Sequence, residues 1–494
     1  MYALSMPNAL AQNEHKNHPS VKNSSSSAVS MYVSSFDGDR LTRKPGVSFE
    51  SNKPSKLPTI LIQNSIRFQQ IEGFGGTFNE AGMICLNSIS PAAREKVLAS
   101  IFDTLHGAGF NLMKSPIASC DYASAGPWYS YNETPGDTAM NHFSIARDLD
   151  SNGLITYIKK AAQFGKFRIE TTMDFAPDWM MFGLENGKKH IRPEYYSALA
   201  RYYSKYIQAY AKHGIRIDWL NPFNESDHNW YSNVSYTEIG ELIKNYIVPR
   251  FRADQIETKI QLCETASRRE APAKFLPVLS DPEARKCISN LTVHGYDWNC
   301  FDTLTVLHNL YPDLPIWQTE VCYALPDLIP PGGPKTLPAY EFSDGEFWGN
   351  MIMNDLKHWV CGWIYWNVIL DEQGGPWMIS EIHGDPDSNY EHPIIIIDRK
   401  TKKVTYTGLY FYLSHFSKFI KPGSYRIESS GNANKLNYAA FQNPNGQIVL
   451  NVINNGEQES YKIQWGNKML IQTLKAHSIT TLIWDDVSGE IARK

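Results

Sequence analysis

The sequence predicts an α/β fold, a (β/α)8 TIM barrel with an appended β-sandwich built from N- and C-terminal strands. Eight short apolar runs alternate with helical segments between residues 73 and 408, as parallel strands joined by helical crossovers do. On both sides of that region the chain reads as short strands broken by turn residues. Its 494 residues also exceed what one ordinary core organises, which fits a large and a small domain.

Residues 1–45 are polar and contain the run SSSSAVS, so a flexible lead-in is expected. Within it, "ALAQ" has the look of an A-x-A cleavage site without a basic n-region or long apolar run. The start therefore reads as a truncated export signal, and the protein as secreted or periplasmic. Residues 46–72 supply the first sandwich strands, as in "PTILIQNSIRFQQ". The barrel, residues 73–408, opens at Gly73, Gly75 and Gly76 and continues through "GFNLMKSPI", "FRIETTM", "RIDWLNPF", "KIQLCE", "NLTVHGY", "PIWQTEV" and "CGWIYWNVI". Between these runs, Ser90 and Pro91 mark a helix start, and "RPEYYSALARYYSKYIQAYAKHG" keeps helical spacing up to Gly214. Residues 409–494 form the sandwich, with a hairpin turn at Asn443-Pro444-Asn445-Gly446. A doubly wound open sheet is the rival arrangement for the alternating part.

Composition narrows the function. The formal charge is -4, from 47 basic and 51 acidic residues scattered along the chain, so there is no basic stripe and nucleic acid is not an expected partner. No run of 18 apolar residues is present to span a bilayer as a helix. Seven widely spaced cysteines form no CxxC pair, which argues against structural zinc, and their odd number leaves at least one thiol free. Asp385, Asp387 and Asn389 have calcium-loop spacing, but Tyr390 stands where the loop needs Gly and Ile396 where it needs Glu. Neither a metal nor a cofactor is expected. Aromatic residues, 13% of the chain, supply flat faces for sugar stacking or for a core.

In a barrel, residues after the fourth and seventh strands share one mouth. Glu225 closes "IDWLNPFNE" after strand four and Glu320 closes "PIWQTE" after strand seven. Two such carboxylates are what glycoside hydrolysis requires, one to protonate the leaving oxygen and one to attack the anomeric carbon or activate water. Asn224, beside the first, can bond a sugar 2-hydroxyl. Glu264, ending strand five, competes for a catalytic role, but Arg268 and Arg269 nearby point to an ion pair instead.

These residues carry a resemblance. "GFGGTFNEAG", "SPIASCDY", "NPFNES", "QTEVC", "GWIYWN" with "GGPW", and "FYLSHFSKFIKPGS" occur in the order of the motifs of glycoside hydrolase family 30, and the chain is most similar to that family's glucosylceramidase (acid β-glucosidase) branch. The resemblance implies a retaining enzyme with Glu225 as acid/base and Glu320 as nucleophile. It also implies a sugar pocket with Asp121, Trp179, Asn224, His294, Tyr296 and Trp366, a carbohydrate or glycoconjugate substrate, and exo action on β-glucosides or a related sugar. An endo-acting β-1,6-glucanase or xylan-acting hydrolase, or a non-catalytic carbohydrate-binding protein, are the alternatives. The chain departs from the family at Lys114, where Arg is usual, at Gly295 and Tyr365, and at "TTMDFAPDWM", which offers Asp174 and Asp178 in place of a Ser-Pro-Trp opening. These departures bear on which sugar is accepted. Oligomeric state is not legible.

Overall fold

Each of the eight apolar runs forms a strand: β1 Gly73–Thr77, β2 Leu112–Pro116, β3 Arg168–Thr172, β4 Trp219–Asn221, β5 Lys259–Thr265, β6 Ile288–His294, β7 Ile316–Glu320 and β8 Val360–Asn367. All neighbours run parallel, and β8 pairs with β1 through Trp363 opposite Phe74, which closes the ring. The open doubly wound sheet is thereby excluded. This computed structural model describes residues 28–123, 129–183, 189–226, 233–323, 342–376 and 391–486. The calcium-like stretch Asp385–Asn389 and the export-signal reading at "ALAQ" lie outside the described residues.

The strands read as unbroken apolar runs because helices cover the outside and side chains fill the inside. Every residue of β2 and β8 is buried. Leu112, Trp219, Trp317, Cys361 and Ile364 form an apolar cluster of their own. Four of the five are the first or second residue of their strand, so the cluster plugs the N-terminal end of the barrel. Gly362 makes room for it, since a Cβ there would meet the Trp317 ring at 2.8 Å. Polar and charged residues follow toward the C-terminal ends, where barrel chemistry is placed.

The predicted helix signals operate locally. Ser90 Oγ accepts from Ala93 N at the start of Pro91–Phe102, and the helix Tyr196–Lys212 stops before Gly214, whose φ of 77° is left-handed.

The remaining strands make a ten-stranded sheet, ordered Thr42–Ser48, Ala28–Ser35, Ser478–Asp485, Gln447–Asn454, Leu436–Gln442, Tyr425–Gly431, Thr59–Gln70, Glu459–Trp465, Lys468–Leu474, Glu50–Ser51. Trp484 and Trp465 lie five strands apart in that order, roughly 24 Å if the sheet were flat. Their rings are 5.9 Å apart, so the sheet folds over itself around one core, as a sandwich does.

Two expected boundaries move. The lead-in over residues 1–45 ends earlier, because Ala28–Ser35 pairs with Ser478–Asp485 and with Thr42–Ser48. The barrel also extends past residue 408: the helix Gly408–Ser417 packs on the helix Asp344–Lys357 and on β1, and the first C-terminal sandwich strand begins at Tyr425. His415 in that helix joins the two domains, its ring nitrogens lying 2.7 Å from Thr481 Oγ1 and 2.9 Å from Ser34 Oγ. Burial pushes its pKa down to about 3, so it serves as a neutral hydrogen-bonding ring. All seven cysteines are free thiols, five of them buried.

Candidate active site

The C-terminal ends of the strands bring distant residues to one place. Glu320 and His294 are the last residues of β7 and β6, and Lys114 is the third of β2. Asn224 and Glu225 follow β4, and Asn224 N donates to Met173 O, just past β3, at 3.0 Å. Glu225 has a φ of 40°, a left-handed conformation that non-glycine residues rarely adopt and that clusters at functional sites.

One oxygen each of Glu225 and Glu320 and one ring nitrogen of His294 lie within 4.8 Å of one another. His294 Nδ1 is 2.6 Å from Glu225 Oε1 and 3.6 Å from Glu320 Oε1. Lys114 Nζ donates to Glu320 Oε2 at 2.9 Å, to Glu264 at 3.0 and 3.1 Å, and to Asn224 Oδ1 at 3.4 Å. Tyr296 donates its hydroxyl to Glu320 Oε1 at 3.0 Å. The Trp366 ring faces Lys114, with Nζ 5.4 Å from a ring centroid.

The electrostatics follow from burial and pairing. Burial alone would strip Lys114 of its proton, but Glu264 and Glu320 raise its pKa above the usual value. Burial opposes a charge on His294 too, yet Glu320 and Glu225 hold its pKa up at about 10. Glu264, which burial would raise, is held down at about 2 by Lys114 and His294. Asp121 is pushed up to about 7 by burial and then by Glu320 and Glu225.

Not every expected residue joins this group. Asp121, half-buried after β2, has an Oδ1 with no protein hydrogen-bond partner among the described residues. The contacts described for Trp179 are to loops: its indole N–H donates to Asn132 O at 2.8 Å and its ring meets Tyr195 edge-on. The expected pairing of Glu264 with Arg268 and Arg269 is replaced by the Lys114 contact. Arg268 instead grips Asp355 at 2.9 and 2.8 Å and Asp297 at 3.0 Å, while Arg269 points at Cys300 Sγ. Sequence reasoning missed Glu170 in β3, fully buried, and Glu391, buried a few residues before the short strand Ile395–Ile397. Glu391 accepts from Asn367 Nδ2, and Tyr365, a departure from the family pattern, donates to the neighbouring His392 O at 2.7 Å. Neither acid falls in a motif; for Glu170 the one signal is an acid inside an apolar strand run, and Glu391 has none.

The spacing of Glu225, His294 and Glu320 also suits a metal ion. The donor set fits poorly, because the imidazole holds its proton up to about pH 10 and the Lys114 ammonium already contacts Glu320.

The sequence model of the Glycosyl hydrolase family 30 TIM-barrel domain matches residues 71–420, and that of the Glycosyl hydrolase family 30 beta sandwich domain matches residues 423–482. The chain belongs to glycosyl hydrolase family 30. These limits also place the domain boundary after the helix Gly408–Ser417, where the packing puts it. The family 30 chain is 26% identical to the lysosomal acid glucosylceramidase of Mus musculus, over 92% of this chain and 88% of the relative. It is 30% identical to a putative glucosylceramidase 3 of Caenorhabditis elegans, over 80% and 76%. Its fold is that of SrfJ from Salmonella typhimurium, with a TM-score of 0.83 at 23% identity, covering 93% of this chain and all of that one. As a family 30 member it is a glycosyl hydrolase acting on carbohydrate.

Proposed function

We propose that this family 30 enzyme cleaves β-glycosidic bonds with retention of configuration, Glu320 acting as nucleophile and Glu225 as acid/base. We further propose exo action on β-glucosides or a related β-sugar, with a glycolipid such as glucosylceramide as the substrate class. The observation that carries the mechanism is the approach of Glu225 and Glu320, whose nearest oxygens lie within 4.8 Å. Retaining glycosidases keep their carboxyl groups about 5 to 5.5 Å apart, whereas inverting ones need room for a water.

The surroundings divide the labour. Lys114 and Tyr296 each donate to Glu320, fixing both oxygens and aiming the carboxylate for in-line attack on the anomeric carbon. Glu225, whose side chain is 20% exposed, borders the mouth through which an aglycone leaves. As it protonates the leaving oxygen it becomes a carboxylate, and the His294 imidazolium 2.6 Å away stabilises that charge. In the second half Glu225 takes a proton from water, which attacks the glycosyl ester on Glu320. Lys114 and His294 thus face two carboxylates at both stages, Glu264 with Glu320 and then Glu264 with Glu225, so the buried charge stays balanced without moving an ion. Similarity to glucosylceramidases supports the substrate class.

Incubation with a 2-deoxy-2-fluoro-β-glucosyl fluoride should label Glu320, read by peptide mass spectrometry. A label elsewhere, or inverted product by NMR, refutes the mechanism. Turnover of glucosylceramide set beside a β-1,6-glucan decides the substrate: dominant glucan cleavage would favour the endo-glucanase alternative.

A further inference from the structure

Between the apolar plug and the charged residues lies a layer of polar side chains that the mechanism does not use. Glu170 sits in β3, in register with Lys114 of β2 and with Trp219 of the plug. Around the same level are Asn221 in β4 and Gln261 in β5, all three with no solvent exposure. Their hydrogen bonding is incomplete. Both oxygens of Glu170, both polar atoms of Gln261 and Oδ1 of Asn221 have no partner among the described protein atoms. The other end of one of these side chains is held, Asn221 Nδ2 donating to Thr292 Oγ1 at 2.8 Å. From above, His294 Nε2 is buried with no partner either, 3.6 Å from Glu264 Oε2 and so beyond a direct bond.

Orphan donors at His294 and Gln261 therefore share one interior layer with orphan acceptors at Glu170, Gln261 and Asn221. Leaving that many buried polar atoms unmade would cost far more than a folded protein tolerates. Water, which donates and accepts, completes such a set. We propose that these side chains hold a cluster of buried water molecules on the barrel axis, anchored by Glu170, which is thereby a positioning residue for His294 and through it for Glu225. The inference rests on the acid/base reading of Glu225. Burial keeps Glu170 well above the ordinary carboxylate range, with Glu264 adding to the push and Lys114 and an approach of the Gln261 amide opposing it, so it enters the cluster as a neutral acid with one O–H to give. A monovalent cation is the less fitting occupant, because it would require an ionised Glu170 in a layer whose charges Lys114, His294, Glu264 and Glu320 already balance.

The test compares Glu170→Leu with Glu170→Gln in the full chain. The readout is the ratio of turnover on an alkyl β-glucoside, which needs the acid, to turnover on a dinitrophenyl β-glucoside, which does not. Glu170→Leu should lower that ratio about tenfold, the loss expected when one hydrogen bond supporting the acid/base is released, and Glu170→Gln should restore most of it. A purely structural role would move both substrates together, and an unchanged ratio overturns the proposal. If Glu170→Leu does not fold, Gln261→Leu is read the same way. High-resolution diffraction from the parent enzyme should show water within hydrogen-bond distance of Glu170 and of His294 Nε2; a dry layer, or a cation bound by carboxylate oxygens, refutes it. Azide rescue of Glu225→Ala tests the underlying reading separately. If rescue succeeds while the ratio stays put, only the water cluster falls.

Discussion

Lys114 donates to Glu320 Oε2 at 2.9 Å from a fully buried position, and the same ammonium lies 3.0 Å from Glu264 Oε2. One cation thus compensates two buried carboxylates. Replacing Lys114 by Met should cost roughly 3–5 kcal/mol of stability, because it leaves uncompensated buried charge rather than removing a neutral contact. In whatever fraction folds, kcat/KM should fall by about a hundredfold or more as Glu320 loses its orienting donor. Thermal unfolding and steady-state kinetics check the two halves. A variant of parental stability would mean that the Lys114 charge is not what holds the pair of acids in place.

Glu225→Ala removes the proposed proton donor while leaving Glu320 and its partners untouched. Glycosylation by an activated dinitrophenyl glycoside should survive within about tenfold, whereas alkyl glucosides should lose at least a hundredfold. Azide fits the space of the missing carboxyl and should restore turnover by forming a β-glycosyl azide. No azide effect, or an α-azide product, removes the acid/base assignment.

Stability should peak on the acid side. Burial pushes Asp148 and Asp344 up to about 7. Between their ordinary value of 3.8 and about 7 the folded chain therefore keeps protons that the unfolded chain has lost, and stability falls as pH rises through that window. His294, held at about 10 against an ordinary 6.5, contributes fully below 6.5 and progressively less as pH climbs toward 10. Glu264, held at about 2 against 4.5, contributes fully above 4.5 and loses its share as pH falls toward 2. His415 and His392, pushed by burial down to about 3 against an ordinary 6.5, work the other way, contributing fully above 6.5 and losing their share as pH falls toward 3, so they offset Asp148 and Asp344 between about 4.5 and 6.5. Calorimetry across pH 3 to 9 should find a plateau of melting temperature between about 4.5 and 6.5 that falls away on both sides, and a melting temperature still rising from 6.5 to 9 contradicts these charge states.

The parts of this architecture that sequence exposes are those where burial leaves a periodic trace. Barrel strands such as β8 are buried along their whole length and stand out as apolar runs. Glu225 and Glu320 are visible because strand ends are where a barrel puts its chemistry. The strand Ala28–Ser35 is not visible, since its buried Ser34 bonds across a polar domain interface and its buried Ser35 bonds the following turn. Thr42–Ser48, a solvated edge strand with a lysine and a proline, has the composition of a loop. The partner of Glu264 was misjudged for a related reason: nearby arginines are easy to see, while Lys114, 150 residues away, is brought there only by barrel closure. Glu170 and Gln261 face each other across strands with no motif to join them.

The glycone should be neutral. Asp121 offers a buried Oδ1 with no protein donor among the described residues, and Glu320 with Glu225 helps push its carboxyl up to about 7. A sugar hydroxyl donating to that oxygen satisfies it at no electrostatic cost, whereas a uronate would bring another negative charge toward Glu320 and Glu225. Asp121→Ala should therefore lower kcat/KM on β-glucosides by roughly ten- to a hundredfold, the span expected for a lost hydrogen bond to a carboxylate. The parent enzyme should prefer 4-nitrophenyl β-glucoside over the glucuronide by at least about a hundredfold, since like charges in a desolvated pocket repel by several kcal/mol. Comparable turnover of the two glycosides would mean that the sugar does not sit against Asp121, and with that its place in the glycone pocket would be lost.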